Sequence, residues 1–145
     1  MQVVAFAPSL RAVVDDRGGI TADGFPLTSA QVASFPAHIT VPMVLAVHTQ
    51  GGSDHDPHLY IVARSQDGER LGSIACSWHW PDVPGSPVKF WVSAPHLPLV
   101  VTAAGVVNIG LYGNLDDTEP WHLFPLRVFT ASPLLRPPPP PSTRM

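Results

Sequence analysis

The sequence predicts an all-β protein, an antiparallel β-sandwich of about eight strands followed by a proline-rich C-terminal tail. Three observations carry that prediction. Proline supplies 18 of 145 residues, about 12% against about 5% in ordinary proteins, and each proline inside a helix costs about 3 kcal/mol. Glu and Lys, both good helix formers, are nearly absent, with two of the first and one of the second. Short runs that alternate apolar and polar residues recur along the chain, separated by Gly, Pro and Asp, which is the pattern of strands and turns. A hydrophobic share of 45% with only 13% charged residues is the reverse of a disordered composition. The length suits one domain, placed at residues 1–130, with residues 131–145 as the tail.

Val3–Val14 reads as the first β segment, interrupted at Pro8, where an edge or bulge tolerates the missing N–H. Asp15-Asp16-Arg17-Gly18-Gly19 is turn chemistry, because Asp bonds its own backbone and Gly supplies positive φ. Ile20–Phe25 then returns as the second arm of a hairpin. Pro26–Pro36 reads as loop, with one helical turn near Ser29–Ala33. In His38–Thr49 the apolar residues Ile39, Val41, Met43, Leu45 and Val47 recur at every second position, so one face is buried; Pro42 suggests an edge or a bulge. Gln50–Pro57 is a polar loop, and Leu59–Ala63 a central strand. Asp67-Gly68 is a hairpin signal leading into Arg70–Trp80. There Gly72, Ile74, Cys76, Trp78 and Trp80 share one face, and Leu71, Ser73, Ala75, Ser77 and His79 the other. After the Pro81–Pro87 loop, Val88–Val92 alternates again. Pro95 and Pro98 bracket an extended crossing segment at His96-Leu97. Val106–Tyr112 and Trp121–Phe129 complete the strands. Pro137–Pro141 predicts an extended polyproline II segment, read as a linker or chain end rather than a core element.

The net charge of −3, with the basic residues scattered from Arg11 to Arg144, offers no basic stripe, so no nucleic-acid partner is expected. The apolar stretch at Leu97–Val107 is about half a membrane span, and no membrane partner is expected. One cysteine, Cys76, allows no intramolecular disulfide and permits a reducing compartment. Met1–Pro8 lacks the basic region of a secretory signal. Together these predict a cytoplasmic protein.

Two constellations could carry chemistry. Asp54-His55-Asp56-Pro57-His58, with His48 upstream, combines imidazole and carboxylate donors that suit a transition metal. A functional site would need at least three of His48, Asp54, His55, Asp56 and His58 to converge; solvated turn residues are the competing reading. Trp78, Trp80 and Trp91 cluster around one connection and are expected as an interaction surface, which as exposed rings could stack on a sugar; core packing is the competing reading. Cys76 and His79 fall on opposite faces of a strand and cannot pair locally. There is no Gly-x-Ser-x-Gly elbow and no phosphate-cradling loop. The expectation is a non-enzymatic binding or assembly module without a cofactor, whose partner is another protein or a second copy of the chain. A small metal-dependent enzyme or metal sensor and a carbohydrate-binding module are the alternatives.

Ser34-Phe35-Pro36-Ala37 before a long strand, the Gln66-Asp67-Gly68-Glu69 turn, Gly105-Val106-Val107-Asn108-Ile109 and Phe124-Pro125-Leu126-Arg127-Val128 together resemble a bacterial family of short β-sandwich proteins of unknown function. The likeness covers about residues 1–130, although Val106 and Val107 stand where that family's pattern has an aromatic. It implies a fold and no catalytic residues.

Overall fold

The structure, a computed structural model, describes residues 1–131. It is all-β: among the described residues 59% lie in strands and none in a helix. Among the described residues no helix is long and apolar enough to cross a membrane. The strands are β1 (Gln2–Pro8), β2 (Arg11–Val14), β3 (Ile20–Asp23), β4 (Ser29–Val32), β5 (Ala37–Gln50), β6 (His58–Arg64), β7 (Arg70–Ser77), β8 (Val88–Ser93), β9 (His96–Val101), β10 (Gly105–Tyr112) and β11 (His122–Thr130). There are eleven among the described residues, more than the about eight expected, because several continuous runs in the sequence are broken or extended in space. The proline-rich tail lies outside the described residues.

One sheet is organised around β5, which is 14 residues long. β1 pairs along one edge of it, and β8 and β9 follow one another along the other edge. All three run antiparallel to β5. Pro42 was expected to mark an edge or bulge, yet it sits inside this central strand. Its carbonyl accepts from Ser9 N at 2.8 Å, so its missing N–H faces the β1 side just past Pro8, where β1 has ended. On the opposite edge Met43 N donates to Pro95 O, also at 2.8 Å, and bridges the break between β8 and β9.

The second sheet has the order β4-β11-β10-β6-β7. β4 pairs in parallel with β11 through Ser29–Val32, so the helical turn expected there is a strand: the β-branched Val32 and an open edge on β11 outweigh weak local propensity. Pro125 lies in β11 two residues before the β4 pairing begins at Arg127, and so removes no ladder bond on that side. His96-Leu97, expected as a crossing segment, opens β9 and pairs with β5. A third, two-stranded ribbon joins β2 and β3. Its turn forms as expected, with Arg17 N and Gly19 N each donating to Asp15 Oδ1 at 2.9 Å.

Both larger sheets feed one core. Met43, Leu45 and Val47 of β5, Leu59 and Ile61 of β6, Leu97 of β9, Ile109 and Leu111 of β10, and Leu126 and Val128 of β11 are all at 0% exposure. Complete burial of each such side chain contributes about 1.5–3 kcal/mol. The two sheets meet where β7 runs beside β9. Gly72 permits this approach: a Cβ there would sit inside the van der Waals boundary of the Pro98 carbonyl oxygen. Because that obstacle is backbone, it cannot swing aside. Gly72→Ala is therefore expected to destabilise the fold by about 3 kcal/mol, the upper part of the overpacking range, measured as a lowered urea midpoint at unchanged m-value.

Candidate functional site

The loop joining β5 to β6, residues 51–57, and the loop joining β7 to β8, residues 78–87, meet at one end of the molecule. They are tied by Lys89. In β8 the alternation turns Lys89 and Trp91 inward and Val88 and Phe90 outward, so the single lysine of the chain is only 2% exposed. A buried ammonium is tolerated only when its donors are satisfied. Lys89 Nζ donates to the Trp80 carbonyl at 2.7 Å and to Asp82 Oδ1 at 3.0 Å, and it lies 5.3 Å from the Trp80 ring centroid. The same Asp82 oxygen accepts from Gly52 N at 2.9 Å and stands 3.3 Å from His55 Nε2. Gly52 has φ of 83°, a conformation glycine adopts without a Cβ penalty. The Gly52 amide, and after it the Lys89 ammonium, hold the Asp82 carboxyl down at about 2 from an ordinary 3.8.

The metal-candidate residues are divided among separate partners. Asp54, at φ of 51°, accepts from the Thr49 hydroxyl at 2.6 Å and lies 3.3 Å from the terminal ammonium; the Thr49 bond, with help from that ammonium, lowers its pKa. His55 is turned to Asp82, and Asp56 Oδ1 meets His79 Nδ1 at 3.0 Å on the surface. His58 begins β6 opposite Ser77. His48 projects from the outer face of β5, its ring centroid 5.5 Å from that of Phe90. Among the described residues no group of three His, Cys, Asp or Glu is placed to hold a metal ion. The convergence that His48, Asp54, His55, Asp56 and His58 would have needed is thus absent, because the loop turns its donors outward to different neighbours.

Trp78, Trp80 and Trp91, expected as an interaction surface, lie beside the same loop end. Trp80 is 4% exposed. Trp78 and Trp91 are half-buried and stacked on each other, with centroids 3.7 Å apart and planes 7° from parallel. One face of each ring is spent on that contact, which joins the end of β7 to β8, and the Trp78 indole N–H is buried without a hydrogen-bond partner. A sugar platform needs a ring face open to water, and Trp80 offers none. Cys76 packs toward the core, and burial pushes its thiol pKa up, opposite to what a nucleophilic thiolate requires.

What the sequence reading missed is the outside of the β5-centred sheet. Its four strands contain one charged residue, Lys89, and that one points inward. The outer face consequently carries no Asp, Glu, Lys or Arg. The β2–β3 ribbon covers its middle, fastened by the Ser9 hydroxyl, which lies 2.7 Å from both the Arg11 and Asp23 carbonyl oxygens; beneath it Ala7 and Val44 are buried although they point outward. Beyond the ribbon, Val4 is 58% and Phe90 61% exposed, with Ala46, His48, Val88 and Val92 around them. The signal was present in the alternation, since Lys89 shares its phase with Trp91.

No family model matches this chain, and no curated protein or solved structure is significantly similar to it. The likeness carried by Ser34–Ala37 and Phe124–Val128 therefore assigns no activity.

Two outcomes follow from the geometry. Because the folded Asp82 value lies below its ordinary one, its stabilisation is complete above 3.8 and is lost as pH falls through about 2. Thermal melting across that window is expected to show an acid-dependent decline that Asp82→Asn flattens, while the Gly52 amide resonance titrates with the same midpoint in the native chain. Cys76 is only partly buried, and it is expected to react with a thiol reagent at neutral pH more slowly in the folded chain than in denaturant.

Proposed function

We propose that the two larger sheets form a β-sandwich and that the chain is a non-enzymatic assembly module, pairing with a second copy through the outer face of the β5-centred sheet. The observation that carries this reading is the uncharged patch around Phe90, which is 61% exposed. Contiguous exposed apolar surface is unusual on a monomer and favours contact. Two copies meeting by a two-fold axis present the same patch to each other. Such pairing normally brings like charges together. Within the patch itself it brings none, because Lys89 is turned inward against Asp82. Phe90 is the aromatic anchor of the patch, the residue type that dominates contact energies. His48 packs against its ring and holds it in place.

Size-exclusion chromatography with light scattering is the direct measurement. A dimer of twice the chain mass is expected at high concentration, and a strict monomer at every concentration overturns the proposal. Phe90→Asp is expected to weaken the dimer by about tenfold or more while leaving the melting temperature of the monomer nearly unchanged, because Phe90 contributes nothing to the core.

A further inference from the structure

A second region, on the sheet away from that face, is built differently. A register shift between Ala63 and Arg64 brings Arg64 directly opposite Arg70 across the β6–β7 pair. Like charges in that relation destabilise a strand pair, and a nearby carboxylate is the usual remedy. Among the described residues neither guanidinium takes part in an ion pair; Arg64 Nη1 reaches only the Gly68 carbonyl, at 3.5 Å. Both arginines line a cleft of about 390 Å³ with Tyr112 and Thr118. An adjoining cleft of about 240 Å³ shares Arg64, Tyr112 and Thr118 and adds Asn108. Tyr112 is 5% exposed and lies over Gly110, where a Cβ would stand 2.9 Å from its hydroxyl. The absence of a side chain at Gly110 thus seats the aromatic wall.

We propose that this cleft binds the carboxylate of a small organic acid. Paired guanidinium groups present forks of N–H donors that match the two oxygens of a carboxylate. Asp116 and Asp117 also line the cleft, and Asp117 Oδ2 is engaged by Asn114 N at 3.1 Å. Their charge offsets that of the arginines, so recognition rests on the guanidinium forks and on the apolar walls and not on net charge. Leu115, Pro120 and Leu123 supply apolar walls that accommodate a carbon chain and offer inorganic phosphate nothing. The ligand head therefore meets Arg64 and Arg70, and its carbon chain lies toward the β10–β11 connection.

The test is a nuclear magnetic resonance titration of the full chain at constant ionic strength with butyrate, inorganic phosphate and chloride in turn. Butyrate is expected to shift the Arg64 and Arg70 Nε–H and Thr118 amide resonances saturably, and Arg70→Gln to weaken it about tenfold or more. Arg70 is exposed, so that variant keeps its dispersed spectrum; Arg70→Lys, which retains charge without the fork, is expected to bind butyrate with intermediate affinity. Shifts that rise linearly with butyrate, that are equal in Arg70→Gln, or that saturate more tightly with phosphate or chloride overturn the assignment. Phe90→Asp lies on the other sheet and is expected to leave the butyrate titration unchanged, so failure of self-association and failure of this site read out separately.

Discussion

The burial of one ammonium group organises the loop end of this protein. Lys89 sits at an inward position of β8, at 2% exposure, where hydration is lost and must be replaced. The replacement comes from the loop that precedes β8: the Trp80 carbonyl and the Asp82 carboxylate. Asp82 then reaches across to Gly52 and His55, and Trp80 N donates to the His55 carbonyl at 2.7 Å. One buried charge thereby fixes two loops that would otherwise have only turn chemistry to hold them. It also accounts for the placement of Trp80, whose carbonyl takes one ammonium proton and whose ring lies 5.3 Å from the group.

The same placement shapes the outside. In most half-buried sheets the solvent face is where charge collects. Here the outer face of the β5-centred sheet has none, and its apolar surface is left to the β2–β3 ribbon on one part and to solvent on the other. The opposite sheet concentrates its charge at a hairpin end, with Arg64 and Arg70 side by side. The two surfaces differ enough in character that a partner suited to one has little to gain from the other.

Much of the fold was legible because strand alternation leaves a direct imprint. The long run at His38–Thr49 and the Asp67-Gly68 turn appear as expected, and so does the alternation of Gly72–Ser77. Leu71 departs from its expected face because the bulge opposite Ala63 and Arg64 turns it into the core, and β7 ends at Ser77. The misreadings share a cause. Ser29–Val32 lacks a strong local pattern, and in His96–Val101 the alternation of Leu97, Leu99 and Val101 is masked by Pro95 and Pro98. Both become strands because an open edge, on β11 and β5 respectively, receives them. Pro42 looked like an edge marker, and no local signal could say that β1 stops at the point where its missing N–H falls. In the candidate site, the spacing of His48, Asp54, His55, Asp56 and His58 suggested convergence, but partners such as Thr49, His79 and Asp82 are distant or unremarkable in sequence. The burial of Lys89 was readable from its phase with Trp91; its carboxylate partner was not, since Asp82 lies in a loop without periodicity.

The arrangement around β5 has a consequence for how the molecule opens. β1, β8 and β9 each pair with β5 and with no other strand of their sheet. They are satellites of one template, so each can detach without breaking the ladder of another. Amide protons of β5 point sideways to β1 on one edge and to β8 and β9 on the other, so each is exposed when the satellite covering its edge leaves. Partial opening in this half of the protein therefore proceeds by shedding strands singly. If β1 is shed, the edge of β5 it leaves uncovered has the geometry to take back its own β1 or the β1 of a neighbouring copy.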